Sequence, residues 1–139
     1  MKTIALVACV KTKRSGCWPA KDLYCSPLFK LSRQYAERNA NNWYILSAKY
    51  GLVAPNDKIK YYEQTLQGAS ICFKRNWAFK VYEQMRIVGL LNGGIKILWL
   101  AGQVYQKELN KLLCNIPMCD PLEGKKFGKR ISWLIEQLK

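Results

Sequence analysis

Three short apolar runs limit the architectures open to this chain. Ile4-Ala5-Leu6-Val7-Ala8-Cys9-Val10 holds no charged residue, Trp43-Tyr44-Ile45-Leu46-Ser47 ends on one hydroxyl, and Ile95-Lys96-Ile97-Leu98-Trp99-Leu100 is interrupted once. A half-exposed strand alternates apolar and polar side chains, whereas a continuous apolar run fits a strand covered on both faces, as in parallel sheets. Between the first two runs, Leu28, Leu31 and Tyr35 recur at helical spacing until Asn39-Ala40-Asn41-Asn42. Between the second and third, Ile71, Trp77, Ala78, Val81, Met85, Val88 and Leu91 mark one helical face that starts at Ser70 and ends at Asn92-Gly93-Gly94. A short helix carrying Val104, Leu109, Leu112 and Leu113 follows, then a brief apolar piece from Asn115 to Met118. The last helix is expected from Lys125 to Leu138, with Phe127, Ile131, Leu134, Ile135 and Leu138 on its buried face. Strands alternating with helices imply right-handed crossovers, hence an α/β three-layer sandwich with a central, mostly parallel sheet of about four strands. Residues 14–27 read as loop, and Lys49 to Leu66 as a turn-rich excursion whose length suggests a functional role. At 139 residues the chain is expected to form one domain, 1–139.

Charge and histidine content then restrict the chemistry. Lys and Arg number 23 against 9 Asp and Glu, for a formal charge of +14, and there is no histidine. A Ser-His-Asp triad, a Cys-His pair and a His-based zinc site are therefore excluded. The six cysteines contain no Cys-x-x-Cys pair and read as reduced thiols, so neither a metal nor another cofactor is expected. So large a cationic surplus makes a polyanion the expected partner, nucleic acid and DNA first, because neutralising phosphates releases counterions. No apolar stretch reaches membrane-spanning length, and the N-terminal apolar segment reads as a strand rather than a signal peptide. No membrane contact and no obligate protein partner is expected, and the expected location is the cytoplasm.

In parallel sheets ligands bind beyond the carboxyl ends of the strands, which selects residues 9–14, 47–65, 101–105 and 119–128. Lys11, Thr12 and Lys13 offer cations and a hydroxyl suited to phosphate; Lys125, Lys126, Lys129 and Arg130 crowd the start of the last helix, where dipole and charge both favour an anion. Ser47, Lys49 and Tyr50 put a hydroxyl, an ammonium and a ring within four residues, a set able to stack and hydrogen-bond a base, with Cys9 and Tyr61 as further pocket candidates. The alternative is that Tyr50 is core and Ser47 caps a turn. Among carboxylates, Glu37, Glu83, Glu108 and Glu136 fall on polar helix faces, and Asp22 and Asp57 fall in turns. Glu63, Asp120 and Glu123 remain, and Asp120 and Glu63 are the candidates for activating water or stabilising positive charge. The tryptophans read as core, except Trp18, which could stack or wedge from its basic loop.

Two regions carry a family resemblance. Ile97-Leu98-Trp99-Leu100-Ala101-Gly102-Gln103, then Asp120-Pro121-Leu122, then Phe127-Gly128-Lys129-Arg130, resemble the uracil-DNA-glycosylase superfamily, in which a leucine-tryptophan strand precedes a glycine turn and a proline loop precedes a Phe-Gly helix start. Leu46-Ser47-Ala48-Lys49-Tyr50-Gly51-Leu52, with Pro55, Asp57, Ile59, Tyr61 and Leu66 and with Lys11-Thr12, look like YaaA-type DNA-binding proteins. The resemblance implies a DNA glycosylase-like enzyme that flips a modified or damaged base and cleaves its N-glycosidic bond, in base repair or defence against modified DNA. The superfamily places a carboxylate or Asn after the first strand and a His in the last loop; here stand Cys9-Val10-Lys11-Thr12-Lys13 and Cys119-Asp120. The resemblance therefore shifts the carboxylate role to Asp120 or Glu63. A non-catalytic DNA-binding protein of the YaaA type, or a nucleobase or nucleotide transferase on the same fold, are the alternatives.

Overall fold

A computed structural model describes residues 1–8 and 13–139 of the chain. In chain order the elements are β1 (Lys2–Ala8), β2 (Cys17–Pro19), α1 (Ala20–Leu23), α2 (Pro27–Asn39), β3 (Asn42–Ser47), β4 (Gly51–Val53), β5 (Lys58–Lys60), α3 (Ile71–Ile87), β6 (Ile95–Leu100), α4 (Gln103–Leu112), β7 (Met118–Cys119) and α5 (Phe127–Leu138). The apolar runs become the middle of a five-stranded sheet ordered β4-β3-β1-β6-β7. β3, β1, β6 and β7 are parallel, and β4 folds back antiparallel on β3. In β1, Leu6 lies between Tyr44 of β3 and Trp99 of β6. Leu6, Ile45, Leu46, Ile97 and Leu100 are all fully buried, which is why these runs lack the polar alternation of an exposed sheet face.

Helices α2 and α5 pack together, as do α3 and α4. Right-handed crossovers set the two pairs on opposite faces, giving helix, sheet and helix layers. Ser26 and Ser70 cap α2 and α3 by accepting from Phe29 N and Phe73 N, and Pro27 takes the first helical position of α2, where its missing N–H costs nothing. The tight β3–β4 turn requires Gly51 at φ +77°, and a Cβ there would collide with Gln84 Oε1. Gln84 fills that space: Oε1 accepts from Leu52 N at 2.8 Å and Nε2 donates to Tyr50 O at 3.1 Å.

Several expectations are corrected. The central sheet has five strands because the excursion after Ser47 supplies β4, and residues 58–60 pair with 17–19 in a separate ribbon, β2–β5. Residues 14–27 thus hold a strand and a helical turn rather than loop alone. Phe127 and Ile135 are 60% and 46% exposed, not buried. At one end Arg38 donates to Leu138 O, and at the other Leu28 and Arg130 line one cavity, so α5 overlaps α2 only from about Arg130 onward. Trp133, 5.3 Å from the Tyr35 ring, packs α5 against α2. Ile71 and Val88, the first residue of α3 and its C-cap, are likewise exposed rather than on its buried face. Among the described residues no helix is long and apolar enough to cross a membrane.

Candidate functional site

Parallel pairing brings the carboxyl ends of β1, β3, β6 and β7 to one edge of the sheet. From β1 the chain passes to β3 on one side, then returns across β1 to β6 on the other. That reversal is a topological switch point, where the helices diverge and leave a crevice above the strand ends. A cavity of about 340 Å³ lies there. Ala8 of β1 and Leu100-Ala101-Gly102 of β6 form its base, and Leu28 and Ser32 of α2 form one wall. Gln103, Val104 and Tyr105, the first turn of α4, form the opposite wall, with Gln67, Leu122 and Arg130 around the rim.

The polar groups are few and placed by the fold. Ser32 is 2% exposed on the apolar stripe of α2, one turn after Leu28. Gly102 caps α4 with no side-chain acceptor, and Tyr105 N and Gln106 N bond to Gly102 O. The first N–H groups of a helix point outward and favour an anion. Arg130 is anchored by one donor, Nε to Lys125 O at 2.8 Å, leaving most of the guanidinium's five N–H groups for other acceptors. α4 and α5 carry no acid in their first turns.

Gln106, buried within α4, ties the two loops beside the cavity. Its Nε2 donates to Ala101 O at 2.6 Å and to Asp120 Oδ2 at 2.8 Å, while Asp120 Oδ1 accepts from Leu122 N at 3.2 Å. Asp120 thus holds the turn that delivers Leu122 to the cavity, and its own side chain is not part of the lining.

The other sequence-derived candidates separate into two groups. Lys125 donates to Pro121 O at 3.0 Å and lies 5.8 Å from the Trp133 ring, near Arg130; Lys126 and Lys129 are exposed at the same helix start. Lys13 lies 4.7 Å from the Tyr62 ring and 5.9 Å from that of Tyr61, beside the β2–β5 ribbon. Tyr61 donates its hydroxyl to Glu63 Oε1 at 2.9 Å, and that bond raises the Tyr61 pKa above its ordinary value. Glu63 therefore belongs with the ribbon, apart from the Asp120 turn. Lys49 is exposed over the Tyr50 ring, and Tyr50 packs edge-on against Tyr62. Ser47 departs from its expected base-reading role: fully buried, its Oγ accepts from Lys49 N and Tyr50 N, so it shapes the turn. Cys9, Lys11 and Thr12 lie outside the described residues. Among the described residues no cluster of His, Cys, Asp or Glu could hold a metal ion.

Sequence reasoning selected the stretch that holds Tyr105 but missed Ser32 and Gln67. Ser32 alone had a signal, a hydroxyl interrupting the apolar stripe between Leu28 and Ala36.

Residues 4–136 match the family of unknown function DUF6884, and the chain belongs to that family. A stretch of 65 residues is 34% identical to the uncharacterized protein YfjM of Bacillus subtilis (strain 168), covering 42% of this chain and 43% of that protein. The match thus spans less than half of the relative's length. No solved structure matches the chain.

Proposed function

We propose that this protein binds nucleic acid, DNA first, and accepts one everted nucleotide in the cavity between the ends of β1 and β6, on a fold of the uracil-DNA-glycosylase kind. One observation carries the reading: a cavity of about 340 Å³ at the switch point, bounded by Arg130 and the uncapped start of α4, on a chain of formal charge +14. That volume is at the small end of ligand pockets and suits a single base with part of its sugar. Leu28, Val104, Tyr105 and Leu122 offer apolar surface to the base, Ser32 and Gln67 offer hydrogen bonds, and Arg130 and α4 offer donors to phosphate. The parallel order β3-β1-β6-β7 with helices on both faces supports the fold reading.

The catalytic form of this proposal is hydrolysis of the N-glycosidic bond. The bond from the anomeric carbon to the base breaks and a water oxygen bonds to that carbon; the proton that water loses ends on the departing base, with Asp120 relaying it or offsetting the cationic sugar. Its support is the position of Asp120, braced by Gln106 on the turn that supplies Leu122 to the cavity. The non-catalytic form is favoured by a different observation: among the described residues lining the cavity there is no carboxylate.

Fluorescence anisotropy with labelled DNA across a salt series tests binding. Arg130→Gln should weaken binding and reduce the slope of log affinity against log salt by about one, the value for one lost phosphate contact. Unchanged affinity and slope would remove Arg130 and the cavity from the site. Incubation with DNA carrying modified bases, followed by alkali, separates the two forms. Strand breaks lost in Asp120→Asn with binding retained support hydrolysis; binding without breaks supports the non-catalytic form, and a substituted base in place of an abasic site indicates a transferase.

A further inference from the structure

The β2–β5 ribbon stands apart from the central sheet and carries an unusual surface. It is a two-stranded antiparallel pair in which Cys17 faces Lys60 and Trp18 faces Ile59. An isolated pair of three-residue strands has almost no intrinsic stability. This one is fixed at both ends by local bonds: Tyr61 N donates to Gly16 O at 3.0 Å, and Ala20 N donates to Asp57 O at 2.7 Å. Ile59 is buried against the body, so the ribbon is seated on the core by one side chain between exposed Lys58 and Lys60.

Two aromatic rings remain at its surface, Trp18 at 37% and Tyr61 at 42% exposure. Each is held in one place by its polar atom. Trp18 Nε1 donates to Ser15 O at 2.8 Å, and Tyr61 donates to Glu63. Each also has a cation over it, Arg14 at 5.2 Å from the Trp18 ring and Lys13 at 5.9 Å from the Tyr61 ring. Large rings fixed by their polar edges, with cations beside them, are the arrangement that binds unpaired bases. The rings and the guanidinium plane stack on bases, and the ammonium groups meet the intervening phosphates. A duplex keeps its bases stacked and offers such rings nothing but backbone.

We propose that the β2–β5 ribbon is a binding site for an unpaired segment of nucleic-acid strand, with bases stacking on the Arg14–Trp18 pair and the Tyr61 ring and an intervening phosphate on Lys13. The inference deepens the proposed function, because it assigns the strand state that the protein grips outside the cavity.

The test uses the full chain and three labelled probes of about 20 residues per strand, an oligo-thymidylate, an oligo-uridylate and a duplex, with affinities from anisotropy at fixed salt. Trp18→Ala with Tyr61→Ala should lower affinity for both single-stranded probes by on the order of tenfold or more and leave duplex affinity within about twofold. Trp18→Phe with Tyr61→Phe keeps the rings and should restore most of the single-strand affinity, which separates stacking from misfolding. A difference between the two single-stranded probes reads out a preference for deoxyribose or ribose. Equal loss on duplex and single strand, or a phenylalanine variant as weak as the alanine variant, would overturn the proposal. The Arg130→Gln protein keeps the two proposals apart. If it binds duplex and single strands as the natural protein does while the ribbon variant loses the single strands, the ribbon stands and the cavity reading falls; if the ribbon variant binds single strands normally and Arg130→Gln loses the duplex, the reverse holds. Failure of the natural protein to bind any of the three probes at low salt removes both.

Discussion

Gln106→Leu is the substitution whose effect follows most directly from the geometry. The amide is buried and makes two bonds, to Ala101 O at 2.6 Å and to Asp120 Oδ2 at 2.8 Å. Leucine fits the volume but strands the carbonyl of Ala101, a residue 3% exposed, at a cost of about 1–3 kcal/mol. Asp120 is half-buried, so water replaces part of what its carboxylate loses, and about 1 kcal/mol more follows from that bond. The sum is about 3 kcal/mol, a fall of roughly 10 °C in the midpoint of a domain this size. Circular dichroism melts of Gln106→Leu, Asp120→Ala and the double variant measure it. Because the two side chains share a bond, Asp120→Ala should cost about 1 kcal/mol less in the Gln106→Leu background than alone. A midpoint shift under about 2 °C, or strict additivity, would refute the idea that this pair ties the α4 turn to the α5 loop.

Two other outcomes are expected. Gly51→Ala forces a side chain into a left-handed backbone and onto Gln84 Oε1, and should destabilise the fold by about 2 kcal/mol or more, measurable in urea. Glu108 is held below its ordinary value of 4.5 by the Lys111 hydrogen bond and by the charges of Lys111, Arg75 and Lys107, against the opposing effect of burial. A depressed carboxylate stabilises the fold above its unfolded value and loses that contribution as pH falls through the folded value, so melts taken below about pH 4.5 should decline more shallowly in Glu108→Gln than in the natural protein. A parallel decline in both would show that this ion pair has no part in acid sensitivity.

The legible part of the fold was the part governed by two-sided burial. Ile4 to Val10 and Ile95 to Leu100 read as strands because they are apolar on both faces, and Leu6 and Trp99 are buried. β4, β5 and β7 were illegible for the opposite reason. Two or three residues long, they owe their conformation to a partner strand rather than to any period of their own. At the site, the rule that ligands gather at strand ends located the α4 turn and the loop that carries Leu122, since both follow a strand closely in sequence, and Arg130 was legible from the basic start of the last helix. The strand-end rule could not supply Ser32 or Gln67, which reach the cavity from the side of a helix and from a long loop. Ser47 was ambiguous because a hydroxyl at a strand end serves a ligand or a turn equally well, and only the bonds to Lys49 N and Tyr50 N decide it. The exposed end of α5 was misread because helical spacing reports direction around an axis and not how far the neighbouring helix extends.

The central place of β1 has a consequence for synthesis. Made first, it is flanked by β3 on one edge and by β6 on the other, and β6 begins at Ile95. On the ribosome, the strand Lys2–Ala8 therefore keeps one bare edge until Ile95–Leu100 has been made and has left the exit tunnel. A nascent chain in that condition shows an apolar, unsatisfied edge to its surroundings, the feature that chaperones bind and that promotes aggregation. Codon changes that slow elongation between Val53 and Ile95 should therefore lower the soluble yield of a protein whose finished form is unaltered.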